Sequence, residues 1–162
     1  MKQQETTEVA LSGATFYIRP FAAFTAANLS GELIRTLSPM LAVLAGEESV
    51  LDAPLEEALP KISGALSGLS GDELEKLIRR LLIDHRNVSV VSEELTGGAV
   101  KALDMSLANE LFCLELQDMY RLCWEVVRLN FGGFFRRLAA PSGGQSGPSD
   151  QTAARSDTAP SI

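Results

Sequence analysis

Two aromatic motifs stand at opposite ends of the apolar part of this chain, and they constrain its fold more than any other feature. The first runs Phe16-Tyr17-Ile18-Arg19-Pro20-Phe21-Ala22-Ala23-Phe24; the second runs Asn130-Phe131-Gly132-Gly133-Phe134-Phe135-Arg136-Arg137-Leu138. Of the seven phenylalanines, all but Phe112 lie in these stretches. Aromatic side chains bury more area than any others, so the two clusters are expected to meet in space.

The chain has 162 residues and reads as one modest domain over residues 8–140, with a flexible start at 1–7 and a tail at 141–162. Its formal charge of −7 argues against general nucleic-acid binding, which needs a basic surface. The basic pairs Arg79-Arg80 and Arg136-Arg137 sit among apolar helical residues and read as solvated helix edges or carboxylate partners. No apolar run approaches a membrane span, and the polar residues 1–7 lack the apolar core of a secretory signal. A soluble protein that stays where it is made is expected. Cys113 and Cys123 are the only cysteines, and both are expected to be buried free thiols. On one helix they would lie about 15 Å apart, too far for a disulfide. Without a CxxC motif and with His85 as the only histidine, neither a zinc site nor a redox site is expected, and no cofactor.

The fold class expected is mainly α: a small helical domain with a short N-terminal β-hairpin and a disordered C-terminal tail. Residues 8–11 and 14–18 are β-branched and aromatic around Ser12-Gly13, a hairpin signal. Pro20 is placed to open a helix in which Phe21, Phe24, Leu29, Leu33, Leu37 and Leu41 recur at mostly three- and four-residue spacing, to about Ala45. Pro39 is expected to kink or split it. Pro54 can open another helix through Leu66. Ser70 with Glu73 forms a capping box ahead of a helix whose buried stripe is Leu74, Leu77, Ile78, Leu81 and Leu82. Val88 to Val91 alternates like a strand and can add to the hairpin, and Glu93 to Gly98 is a loop or a short helical turn. From about Ser106 to Leu138 the pattern is helical, with a bend or break expected at Gly132-Gly133. From Pro141 onward the composition is Ser/Gly/Pro/Ala-rich and cannot offset the entropy of ordering.

No reaction can be assembled from these residues. His85 lies beside Asp84, which could orient it, but no nucleophile or metal-ligand spacing accompanies it, and a helix-terminal position explains it. The carboxylate pairs Glu47-Glu48, Glu56-Glu57, Asp72-Glu73 and Glu93-Glu94 fall at loops or helix starts, with no calcium-loop alternation. The glycines form no phosphate loop. A scaffold or binding role is expected instead of catalysis.

The Arg-Pro-Phe-x-Ala-Phe helix entry at Arg19 to Phe24, the Leu-Ile-Arg-Arg-Leu-Leu helix at Leu77 to Leu82, the His85 to Val91 stretch, and the closing Asn-Phe-x-x-Phe-Phe at Asn130 to Phe135 occur in order. In this arrangement, over roughly residues 8–138, the chain resembles the tail assembly chaperones of long-tailed bacteriophages. The resemblance implies a mainly helical, non-enzymatic protein of the infected host's cytoplasm, absent from the mature virion. It implies binding to the tape measure protein, which is kept soluble, and help in recruiting the tail tube protein; self-association is plausible. It also allows a longer frameshifted form, with the tail from Pro141 as linker. The resemblance leaves a structural role open, as a minor tail or head–tail completion protein of the virion; a bacterial adaptor unrelated to phage is a further alternative.

Arg19, Phe21, Phe24, Phe131, Phe134 and Phe135 are the candidate partner-binding residues. The five phenylalanines either pack together and close the domain or include exposed anchors, of which Phe134 and Phe135 are the first candidates. Arg19 either reaches a carboxylate or the end of the final helix, or is a surface charge at a strand end.

Overall fold

A computed structural model describes residues 5–44, 56–57, 60 and 68–139. Of the helix expected from Pro54, only residues 56, 57 and 60 are described, and these are helical; the tail from Pro141 lies outside the described residues. The order of elements is β1 (Thr7–Leu11), β2 (Ala14–Ile18), α1 (Ala23–Leu44), α2 (Gly71–Leu82), β3 (Val88–Val91), α3 (Glu93–Thr96), β4 (Lys101–Ala102), α4 (Met105–Phe112) and α5 (Leu116–Ala139).

The strands form an antiparallel sheet in the order β1-β2-β3-β4. Ser12 and Gly13 join β1 to β2 with φ of 50° and 70°, the two left-handed residues that a tight hairpin loop requires. Serine is an unusual choice there, and Asp118 supports it. One carboxylate oxygen, Oδ2, accepts both the Ser12 N–H at 3.1 Å and the Ser12 hydroxyl at 2.7 Å. As expected, β3 adds to the hairpin, pairing Phe16 with Val90 and Ile18 with Val88. Those four side chains are fully buried on one face, so period-two alternation decides which face meets the helices. The short β4, without a sequence signal, extends the pairing beyond β3.

α5 is the spine of the helical layer and touches β1, α1, α2 and α4. Its buried residues Leu122, Cys123, Val126, Val127, Phe131 and Phe135 recur at one-, three- and four-residue steps. α2 begins at the expected capping box, with the Ser70 hydroxyl accepting the Glu73 N–H and the Glu73 carboxylate accepting the Ser70 N–H. Arg80 of α2 reaches α1, where it pairs with Glu32 and donates to Asn28 Oδ1 at 2.6 Å. Arg79 pairs with Glu75 at 4.0 Å.

Four sequence expectations need correction. α1 starts at Ala23, not at Pro20: the Ala26 N–H bonds the Ala22 carbonyl at its start, and the Phe21 N–H ahead of it is held by Asn130. It then continues through Pro39 without splitting. α5 likewise runs unbroken through Gly132-Gly133; the interruption falls at Cys113–Glu115 instead. That interruption lets Phe112 turn under the sheet, where its ring stacks on Phe16 at 5.7 Å, while α5 takes a separate path. It also places Cys113 and Cys123 on different elements, with Cys113 exposed and only Cys123 buried.

Candidate partner-binding surface

The two aromatic motifs do meet. Phe21 lies against Phe131 with ring centroids 6.1 Å apart; Phe131 leads to Phe135 at 6.4 Å, and Phe135 to Phe134 at 5.5 Å. Asn130 secures the junction, its Oδ1 accepting the Phe21 N–H at 2.7 Å. His85 presents its ring edge-on to Phe21 at 5.7 Å. It lies past the end of α2, in the turn, and among the described residues no hydrogen bond joins it to Asp84.

Burial divides the candidate residues. Phe21, Phe131 and Phe135 are core. Phe24 is 93% exposed and takes no part in the cluster, and Phe134 is 40% exposed at its rim. Arg19 reaches neither a carboxylate nor the final helix: its Nη2 donates to the backbone carbonyl of Arg86 at 2.7 Å, and its N–H donates to the Asn87 carbonyl at 2.8 Å. Arg19 therefore extends the β2–β3 pairing and fixes the turn after α2. Arg86 in that turn has a φ of 50°.

A second apolar surface escaped the sequence reading. α2, α4 and the first turn of α5 enclose a trough of about 760 Å³, walled by Leu74 and Ile78, Met105 and Ala108, and Leu116 and Met119. Met105 and Leu116 are exposed, and Leu114 beside them is 91% exposed. The available signal was Leu114-Glu115-Leu116, which sets apolar side chains in a helix–helix connection where polar ones are usual.

Among the described residues, two titrating groups depart from ordinary behaviour, and neither suggests chemistry. Hydrogen bonds from the Ser70 backbone and hydroxyl hold the Glu73 carboxyl below its ordinary 4.5, as an N-terminal cap should. Burial pushes the Cys123 thiol from 9.0 to about 12, which makes it inert. Among the described residues no cluster of His, Cys, Asp or Glu could hold a metal ion, and no helix is long and apolar enough to cross a membrane.

A four-stranded sheet backed by helices, with apolar side chains left uncovered on two faces, defines an interaction domain. The sequence profile described as phage tail assembly chaperone protein, TAC, matches residues 12–144, and the chain belongs to that family. Members are non-enzymatic assembly proteins, and their partners are tail proteins. Comparison with curated proteins and with solved structures returned no match.

Proposed function

We propose that this protein binds the phage tape measure protein, keeps it soluble in the cytoplasm of the infected bacterium, and helps recruit tail tube subunits. The observation that carries this reading is the pair of exposed apolar side chains Met105 and Leu116 that line the trough. A long helical partner exposes apolar stripes before assembly, and such a stripe fits between helices of a binding domain. Occupying it shifts the partner's equilibrium away from aggregation by mass action, without chemistry.

The tube partner has a separate place to bind. β1 is an outer strand, and its closing pair Leu11–Ala14 leaves the backbone groups of Glu8 and Ala10 directed away from β2. A strand of the tube subunit can pair there. Ala10→Pro removes an outward N–H without breaking the hairpin, so loss of tube-subunit binding is the expected result.

The test of the main reading is co-expression of the tagged chain with the tape measure protein. Co-purification of a soluble complex, with the chain absent from purified virions by mass spectrometry, is the expected outcome. An insoluble, unbound tape measure protein, together with this chain present in virions, would overturn it in favour of a structural tail component.

A further inference from the structure

The hairpin loop and the trough share one turn of helix. α5 starts at Leu116, after the break at Cys113–Glu115. Its first turn closes on the Glu115 carbonyl, which accepts the Asp118 N–H at 3.0 Å and the Met119 N–H at 3.3 Å. Leu116 is 52% exposed and Leu114 ahead of it 91%, so packing holds this turn less firmly than the buried middle of α5. On one side the turn supplies Leu116 and Met119 to the trough wall. On another it supplies Asp118, whose Oδ2 accepts the Ser12 N–H at 3.1 Å and the Ser12 hydroxyl at 2.7 Å.

Ser12 depends on that support. Its φ of 50° lies in the left-handed region, where any residue with a Cβ is strained and glycine is not. Gly13 beside it adopts 70° at no such cost. Two bonds to one carboxylate oxygen, each strengthened by its charge, offset the strain at Ser12. Without them the loop relaxes, and the adjoining pair Leu11–Ala14 opens first. That pair sets the direction in which the backbone groups of Glu8 and Ala10 point.

Resting on the strand-docking reading of β1 above, we infer that the Ser12–Asp118 contact links the two surfaces: the order of the first turn of α5 sets how firmly β1 is held for a partner strand. With the turn helical, Asp118 stands under the loop and the outer edge of β1 is presented straight. With the turn frayed, Asp118 withdraws, Ser12 is left strained, and β1 opens from its loop end. Asp118 is thus a positioning residue for strand pairing that acts through Ser12. Leu116 and Met119 are the points at which a load on the trough wall is felt at β1.

Hydrogen exchange on the full chain, followed by NMR, tests the link. The amides of Val9 and Leu11 are bonded to β2 and report opening of the hairpin. Those of Val126 and Val127, buried in α5, report opening of the whole domain. Asp118→Ala is expected to cut protection at Val9 and Leu11 about tenfold and leave Val126 and Val127 within about twofold. In the Ser12→Gly chain, whose loop is unstrained, the same Asp118→Ala change should cost less than about threefold. Leu116→Gly, at an exposed position, weakens the first turn and should lower protection at Val9 and Leu11 about threefold. In the Asp118→Ala chain it should have no such effect. Unchanged protection in Asp118→Ala, an equal loss in the Ser12→Gly chain, or a Leu116→Gly effect that persists in the Asp118→Ala chain overturns the inference. So does a parallel loss at Val126 and Val127. Tube-subunit affinity separates the link from the reading beneath it. Asp118→Ala should weaken that binding and the added Ser12→Gly change restore it. If Ala10→Pro leaves the binding intact, the strand-docking reading falls. If Ala10→Pro abolishes it while Asp118→Ala changes neither affinity nor exchange, the link alone falls.

Discussion

Asn130 accepts the backbone N–H of Phe21 at 2.7 Å through Oδ1, and its Nδ2 donates to the Val126 carbonyl one turn back at 2.8 Å. One amide thereby ties the chain just before α1 to α5, where Phe21 meets Phe131. Asn130→Ala leaves the part-buried N–H without an acceptor and is expected to cost about 1–3 kcal/mol. Urea unfolding of the purified chain measures this. A loss below a few tenths of a kcal/mol would show that the amide does not hold the junction.

Phe131 and Phe134 are three residues apart and predicted to behave oppositely. Phe131 is 2% exposed and touches both Phe21 and Phe135, so Phe131→Ala should destabilise by about 3–5 kcal/mol. Phe134→Ala removes a side chain 40% exposed and should leave the melting temperature within a few degrees of normal. Thermal melts of the two variants decide it, and similar large drops in both would return Phe134 to the core.

The cap at the start of α2 gives a pH-dependent prediction. Ser70→Ala is expected to cost about 1 kcal/mol at neutral pH. Glu73 has a lower pKa in the folded chain than its ordinary 4.5, so its contribution is present above that value. It is lost as pH falls through the still lower folded value. The stability gap between the normal and Ser70→Ala chains should therefore narrow below pH 4.5, as denaturant titrations at stepped pH can show.

The cysteines differ in reactivity. Cys113 is exposed at the end of α4, whereas Cys123 is buried with its thiol pushed up to about 12. Alkylation under native conditions followed by mass spectrometry should label Cys113 alone, with Cys123 labelled only in denaturant. Equal labelling would mean that α5 opens locally on the timescale of the experiment.

The elements legible in the sequence were those with a local chemical reason. Ser12-Gly13 supplies the turn, Ser70 and Glu73 supply reciprocal bonds, and Val88 to Val91 alternates as a half-buried strand must. Misread positions were those where packing overrode a local preference. Gly132 and Gly133 weaken a helix by roughly 1 kcal/mol each relative to alanine, yet the burial of Phe131 and Phe135 on either side carries α5 through them. The break at Cys113–Glu115 has neither glycine nor proline to announce it; it follows from where Phe112 must go. The trough was hidden for a similar reason. Leu74, Met105 and Leu116 each fit an ordinary apolar pattern, and only folding brings their three helices side by side.

The bond between Ser12 and Asp118 spans 106 residues of chain. The hairpin leaves the ribosome well before both β3 and Asp118, so it cannot acquire either support until most of the domain has followed. At bacterial synthesis rates of about 5–20 residues per second, that is a wait of roughly 5–20 s. During that interval β1 and β2 are a lone two-stranded ribbon, marginal in water. A tail assembly chaperone thus has an unfinished surface of its own during synthesis, and the β1–β2 hairpin matures only after elements made well after it.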